Sequence, residues 1–360
     1  MQLHLVGGFL GSGKTTAITS AAQHLISTGK RVGIVTNDQG KYLVDTAFFQ
    51  AANIPTVEIT GGCFCCNYDD LETVLKQFEK HTPPDIIFAE SVGSCADLIA
   101  TVVKPLQTFY TAGIEVSSLS VFTDIRLLKR RLQNQPLPFH ENIVYIFDKQ
   151  IEEASLLVLN KSDLLAETDV LSTLTLAQQQ FPDKRIVAQS SISEKGIDHW
   201  INCITSVQKP IALDTLQIDY DRYGAGEAEL AWLNEELVID VSPGEGRTAL
   251  LCFLSDLSEG LEQKGHPIGH LKAWIEADDC KMKISLPTLQ HSGWKNEIPH
   301  FQSSHFTLLF NARVQAPDDI LREVVSQSLD VLCWTTRAEC FERKSEIFTP
   351  AFPEPVHRMI

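Results

Sequence analysis

The chain lacks any run approaching the roughly 18 apolar residues that a membrane-crossing helix requires. Its opening, MQLHLVGGF, has neither the basic stretch nor the long apolar core of a secretion signal. A soluble, cytoplasmic protein without a membrane partner is therefore expected. Positive charge is also short: 30 Lys and Arg against 46 Asp and Glu leave a net charge of −16. This argues against non-specific nucleic-acid binding, because phosphate backbones are held mainly by cations. Internal repeats, low-complexity stretches and histidine-rich runs are missing as well. Nine cysteines form an odd set. A disulfide framework fits them poorly, and metal binding or redox chemistry fits better.

With 360 residues, 44% of them apolar, the chain can bury a sizeable core in two domains. Up to about Ser206, short apolar runs alternate with helical patterns. LHLVG, RVGIVTN, TVEIT, DIIFAE, VSSLSVF, SLLVLNK and RIVAQSS read as strands, and LETVLKQFEKH places Leu71, Val74, Leu75 and Phe78 on one helix face. This is the pattern of an α/β fold: a parallel sheet with helices on both faces. The rhythm fades over 207–229, which carries Pro210, Gly224 and Gly226 and reads as a linker. Strands and two helices over 230–360 predict a smaller α+β domain, with a helix from Pro317 to Leu329. The expected division is thus 1–206, a linker at 207–229, and 230–360.

The first strand runs into GGFLGSGKTT, where Gly8, four residues, then Gly13, Lys14 and Thr15 have the spacing of a phosphate-binding loop. Glycines let backbone N–H groups face phosphate oxygens, Lys14 supplies a cation, and Thr15 offers a hydroxyl to Mg²⁺. Gly8, Gly11, Ser12, Gly13, Lys14, Thr15 and Thr16 are the expected nucleotide-binding residues. Asn160-Lys161-Ser162-Asp163 follows an apolar strand, where open α/β sheets present their ligands. The Asp163 carboxylate can accept the N1–H and N2 amino hydrogens of guanine, Asn160 can bind the other edge, and the Lys161 stem can cover the ring face. A base site built on such bonds points to GTP and GDP. Glu90 ends another apolar strand and is the expected Mg²⁺ acid. Asp45, in TNDQGKYLVD, is a second magnesium candidate on a segment able to close over the γ-phosphate. Lys14, Asp45 and Glu90 are the expected catalytic set. No arginine finger is legible, so slow intrinsic hydrolysis is expected.

TGGCFCCNYDD places Cys63, Cys65 and Cys66 in the turn between a strand and a helix. The positive end of that helix favours thiolate, and Gly61 and Gly62 permit a tight backbone path. Three thiolates suit Zn²⁺ or Cu⁺ and disfavour Mg²⁺ or Ca²⁺. A fourth ligand can come from water, a client or another chain. A redox pair is the competing reading, ahead of simple packing. Cys95, Cys203, Cys252, Cys280, Cys333 and Cys340 sit among apolar neighbours and read as packing, as do Trp274 and Trp334. His266 and His270 in HPIGH read as a pair with no function, because Pro267 and Gly269 oppose the helix that would align them.

Together GGFLGSGKTT, NDQGKYLVD, GGCFCCNYDDL, ESVGSCADL and QIEEASLLVLNKSDL resemble the CobW/HypB/UreG class of P-loop GTPases, and most closely its CobW-like members. The resemblance covers roughly the first half of the chain. It implies a Mg²⁺-dependent, GTP-hydrolysing metallochaperone or insertase with Zn²⁺ first and Co²⁺ second as cargo, held by the three cysteines. It further implies Glu90 in place of the more usual aspartate, and Asp45 in the magnesium-sensing switch. The implied partner is a client metalloprotein or metal-cofactor enzyme, and a homodimer is compatible with it. Lys41 stands where many relatives carry an acid, and Val92 where they carry threonine. A GTP-dependent chaperone for a metal- or corrinoid-containing enzyme is the alternative. A P-loop phosphotransferase is a third reading, for which no acceptor lid is legible.

Overall fold

Seven stretches predicted as strands in the first half all form strands of one parallel sheet in the computed structural model. The structure describes residues 1–80, 83–110, 113–206, 214–289 and 293–360. The strands are β1 (Gln2–Gly8), β2 (Val32–Asn37), β3 (Thr56–Ile59), β4 (Ile86–Glu90), β5 (Glu115–Asp124), β6 (Leu156–Asn160) and β7 (Arg185–Ala188), ordered β3-β2-β4-β1-β5-β6-β7. Central strands such as β2 and β4 are buried along their whole length, as strands covered on both faces must be. Their helices are α1 (Lys14–Ser27), α2 (Val44–Ala51), α3 (Tyr68–Lys80), α4 (Lys104–Phe109), α5 (Ile125–Leu132), α6 (Glu141–Glu153), α7 (Glu167–Gln180), α8 (Ile197–Thr205) and α9 (Tyr220–Ala228), with one π turn at Ile99–Val103. Trp200 of α8 is fully buried on the sheet, edge-on to Phe122 at 4.9 Å, and donates its indole N–H to Ser120 Oγ at 3.0 Å. This satisfies the one polar atom of a large apolar side chain.

The second half holds a five-stranded antiparallel sheet of order β10-β9-β11-β8-β12. Its elements are β8 (Ala231–Asp240), α10 (Gly246–Gln263), β9 (Ile268–Ala277), β10 (Cys280–Pro287), α11 (Trp294–Glu297), β11 (His305–Val314), α12 (Asp318–Thr336) and β12 (Glu339–Phe348). Leu250, Phe253, Leu254 and Leu257 of α10 and Leu321, Val324 and Val325 of α12 share a core with alternate residues of β8, β9 and β11. That period-of-two burial is what a sheet covered on one face by helices requires.

The chain divides into two units with bounds that differ from a single sequential cut. One comprises Met1–Gln39, Phe49–Gly226 and Pro353–Ile360, and the other Gly40–Phe48 and Glu227–Phe352. Two short segments thus depart from chain order: the Lys41 and Val44 amides donate to the Glu346 and Asn311 side chains, and the Val356 and Met359 amides to the Cys65 and Ala100 carbonyls. In the expected linker 207–229, residues 207–213 lie outside the described residues, while Gly224 and Gly226 fall inside α9 rather than a loop. Gly226 is needed there: a Cβ would come within 2.6 Å of the Asn142 carbonyl oxygen. The helix predicted from Pro317 to Leu329 begins at Asp318 and continues to Thr336, ending at Arg337 in the left-handed conformation (φ 56°). Trp334 is a correction. It is 87% exposed, lying two residues (about 200° of helical turn) beyond the buried Leu332. Trp274 is buried.

Candidate nucleotide and metal site

Everything at the phosphate loop follows from a strand that must turn sharply into a helix. Gly8, Gly11 and Gly13 all adopt positive φ (125°, 69° and 88°), which only glycine takes without strain. Gly13 also lies against Asn160, whose Nδ2 would be 2.4 Å from a Cβ. Lys14 Nζ donates to Gly8 O at 2.7 Å, holding the ammonium against the loop. The buried Ser12 hydroxyl has no partner among the described residues, an orphan that a phosphate oxygen would satisfy. Thr15 Oγ1 donates to Glu90 Oε1 at 2.8 Å, so the hydroxyl and the strand-terminal carboxylate meet. Oxygen donors of this kind suit a hard ion such as Mg²⁺.

The N-K-x-D turn is built just beyond β6. Asn160 is almost fully buried and braces the site: Nδ2 donates to Ser12 O at 2.8 Å, while Oδ1 accepts from Ser191 Oγ at 2.9 Å and Ser191 N at 3.2 Å. It therefore ties the phosphate loop to the segment after β7, a use its sequence position does not announce. Lys161 takes the left-handed conformation (φ 65°) and sets its Nζ 3.2 Å from Asp124 Oδ2. Asp124 is also gripped by Arg126, with Nε at 3.0 Å and Nη2 at 2.6 Å. Burial lowers the Lys161 pKa, and Asp124 opposes that shift. Asp163 stays exposed on the single turn Ser162–Leu164, available to a ligand.

Asn37 positions the cysteine turn, and sequence reasoning did not single it out. Its Oδ1 accepts from Phe64 N at 2.8 Å and its Nδ2 donates to Gly62 O at 2.7 Å. The preceding Thr36 is the register partner of Glu90, so two adjacent residues of β2 adjoin the Glu90 strand and the cysteine turn. The only hint in the sequence is a polar residue closing an apolar strand. Gly61 has φ 83°, and Cys66 N and Asn67 N both donate to Cys63 O, at 3.0 and 2.8 Å. The three Sγ atoms lie within 4.8 Å of one another. Cys63 and Cys65 are joined as a disulfide with Cα atoms 5.4 Å apart, and Cys66 Sγ lies 3.3 Å from Cys63 Sγ. Convergence serves a disulfide and a thiolate site alike, but only the reduced form offers all three donors. Reduced protein is accordingly expected to bind Zn²⁺ more than about 100-fold more tightly than protein oxidised with diamide, reversibly on adding a phosphine reductant. A chelator-dye competition on both forms checks it.

The loop leaving Glu90 is fastened by α6. Gln150 Nε2 donates to Gly93 O at 3.1 Å and Cys95 O at 2.8 Å, and Glu153 Oε1 accepts from Ile99 N at 2.6 Å. Burial pushes the Glu153 carboxyl from 4.5 up to about 7, although backbone N–H donors favour its charged form. Between these values the folded protein holds a proton that the unfolded chain releases, so this stabilisation is lost as pH rises toward 7. Glu153→Gln should flatten that dependence, leaving a melting midpoint on the order of 5 °C higher relative to wild type at pH 8 than at pH 5. Thermal melts from pH 5 to 8 measure it.

Asp45 lies in the second unit, where its carboxylate accepts from Lys272 Nζ at 2.5 Å and Lys283 Nζ at 3.3 Å. Burial alone would raise its pKa, but the two lysines outweigh burial and hold it ionised. His266 Nδ1 lies 3.1 Å from Gln315 O, and His270 is buried on β9. Cys95 is buried, and Cys203, Cys252, Cys280 and Cys340 pack against the two cores.

A glycine-rich loop joining a buried strand to a helix, with its threonine on a strand-end carboxylate, makes this a P-loop nucleotide-binding protein. More narrowly, the chain belongs to the CobW/HypB/UreG family, whose nucleotide-binding domain matches residues 2–189, just over half of its length. It is 29% identical over 182 residues to the zinc chaperone CobW of Sinorhizobium sp, covering 45% of this chain and 51% of that one. It is 26% identical over 189 residues to the zinc chaperone YeiR of Escherichia coli, covering 52% and 54%. The chain thus spans about half the length of the curated relatives it matches. Among solved structures, the hydrogenase maturation factor HypB of Archaeoglobus fulgidus is 20% identical, with 56% of this chain and 88% of that one covered and a TM-score of 0.40. Zn(II)-bound YjiA GTPase of E. coli is 13% identical over 91% and 98%, with a TM-score of 0.36. Among the described residues, no helix is long and apolar enough to cross a membrane.

Proposed function

We propose that this protein is a Mg²⁺-dependent GTPase that carries Zn²⁺ on Cys63, Cys65 and Cys66 and releases it to a client metalloprotein according to the bound nucleotide. The observation that carries this reading is the link through β2: Thr36 pairs in register with Glu90, and Asn37 bonds to both ends of the turn that starts the thiol cluster. A shift of Glu90 on binding magnesium would reach the thiols through two residues. The names of the zinc-chaperone relatives support the choice of ion.

In this scheme the loop N–H groups and Lys14 bind the β- and γ-phosphates, and Ser12 gives its hydroxyl to a phosphate oxygen. Thr15 and Glu90 would hold the magnesium, which would supply positive charge to stabilise the phosphates during transfer. Asp163 reads the base, and Asn160 keeps the phosphate loop and the Ser191 segment in register. Asp45 is a further magnesium contact from the switch segment. The cargo is bound by three thiolates, and its open fourth position allows transfer to a client ligand. Cytoplasmic location and a homodimer remain parts of this proposal.

The test is Zn²⁺ affinity of reduced protein with GDP and with a non-hydrolysable GTP analogue. We expect a change of at least about fivefold, within the usual range of coupling between two sites. Equal affinities would remove nucleotide control, and no guanine-nucleotide binding at all would remove the whole reading.

A further inference from the structure

Pro353–Ile360 belongs to the first unit and is laid over residues more buried than itself. Val356, Arg358 and Ile360 are exposed, whereas Cys65, Tyr68, Asp97 and Ala100, which the segment touches, are at most 2% exposed. Four consecutive residues make the attachments. Val356 N donates to Cys65 O at 2.9 Å, and Met359 N donates to Ala100 O at 2.9 Å. Between them the His357 ring stands edge-on to Tyr68 at 4.9 Å and tilted against Phe109 at 5.0 Å. Arg358 Nε donates to Asp97 Oδ2 at 2.7 Å and Nη2 to Leu216 O at 3.3 Å, with the guanidinium 5.5 Å from the Tyr220 ring centroid. The Tyr220 hydroxyl donates to the same Asp97 oxygen at 2.9 Å.

Asp97 makes this seat specific. Its backbone is left-handed (φ 66°) and its side chain fully buried, and each of these costs free energy unless the surroundings offset it. Burial raises its pKa, while the hydrogen bond and charge of Arg358 oppose that shift. A cation on a surface segment thus offsets a carboxylate held in the interior. Transfer of an ion needs an incoming ligand at the thiols, yet Cys63 and Cys65 are only 5% and 2% exposed. Resting on the cargo site proposed above, we propose that Val356–Met359 is a strap that closes the cysteine turn, anchored by Arg358 on Asp97 and clipped by His357 between Tyr68 and Phe109. Client ligands reach the thiols when it lifts. Two backbone hydrogen bonds, one ring slot and one ion pair whose arginine is 28% exposed are a hold that can open locally without unfolding the unit. Reaction at the thiols is then slowed by the fraction of protein with the strap closed.

Two variants weaken the strap at separate points. Arg358→Gln removes the charge on Asp97, and His357→Ala empties the slot between Tyr68 and Phe109 while leaving the ion pair in place. In the reduced, metal-free full chain, each should speed iodoacetamide alkylation of Cys63, Cys65 and Cys66 by roughly tenfold, read residue by residue by mass spectrometry. Cys203, on α8 of the same unit, should keep its wild-type rate. Unchanged rates at the three thiols in either folded variant would overturn the strap. An equal rise at Cys203 would overturn it too, because it marks general loosening of the unit. Should Arg358→Gln fold poorly with Asp97 left unpaired, His357→Ala decides alone. The zinc-loaded variants should likewise pass their ion to a chelating dye roughly tenfold faster than wild type, and faster alkylation with unchanged transfer would overturn the role in release. If reduced wild type holds no zinc on these thiols, the functional reading fails while the alkylation rates still decide the strap. If it holds zinc and neither rate changes, only the strap fails.

Discussion

Asp163→Asn should exchange guanine for xanthine as the preferred base. The carboxylate offers two acceptors to the two donors on the guanine edge, N1–H and the N2 amino group. An asparagine amide offers one acceptor and one donor, so its NH₂ would face the N2 amino group and neither could be satisfied. Xanthine carries a carbonyl at that carbon, which accepts from the amide while its N1–H donates to the amide oxygen. Unpaired polar groups in a base site are what give discrimination of up to about 10⁴–10⁵. We expect GTP affinity to fall on the order of 10³-fold and XTP affinity to rise above it. Asp163 is exposed on a single turn closed by Leu164 N on Lys161 O at 3.1 Å, so the substitution should spare the fold. Competition of GTP and XTP against a fluorescent nucleotide measures both arms. A variant that still prefers GTP would show that Asp163 does not read the base.

The parts of the molecule that were legible in sequence are those fixed by local chemistry. A strand that is apolar throughout must be buried on both faces, and the alternation of β1 to β7 with helices left one architecture. Gly8, Gly11 and Gly13 mark left-handed backbone that other residues avoid, so the loop geometry is written in its composition. Thr15 and Glu90 could be paired because both stand at the ends of parallel strands or at the helix they feed. What could not be read depends on long-range partners. Asn37 is an ordinary strand-end residue until the turn 25 residues later bonds to it. Asp45 belongs to a polar stretch whose neighbours, Lys272 and Lys283, lie more than 220 residues along the chain. Trp334 sits in an apolar run, yet helical phase turns it outward. The strand Glu339–Phe348 was hidden for a related reason. It is an edge strand crowded with charge, which discourages pairing with other chains and erases the apolar alternation that would have revealed it.

Replacing Cys63, Cys65 and Cys66 together by serine should reduce Zn²⁺ affinity on the order of 10³-fold or more, because a serine hydroxyl keeps its proton near neutral pH and is a harder, weaker ligand than thiolate. The backbone should survive the change. The turn is held by Cys66 N and Asn67 N on the Cys63 carbonyl and by Asn37 on Phe64 N and Gly62 O, none of which uses sulfur. Binding of GTP should therefore stay within a few-fold of wild type, since Lys14, Thr15 and Asp163 are untouched. This separation is what makes the variant informative. Asn37→Ala provides the converse, keeping all three thiols while removing the brace that makes them converge. Its metal affinity should fall by about 10–100-fold, the usual cost of losing a group that orients ligands. Chelator-dye competition on reduced protein, with GTP titrations alongside, measures the set. If the triple variant keeps wild-type zinc affinity, the ion is held elsewhere. If it loses zinc while Asn37→Ala does not, the thiols bind metal without help from β2, and the proposed route from Glu90 to the cargo is broken at Asn37.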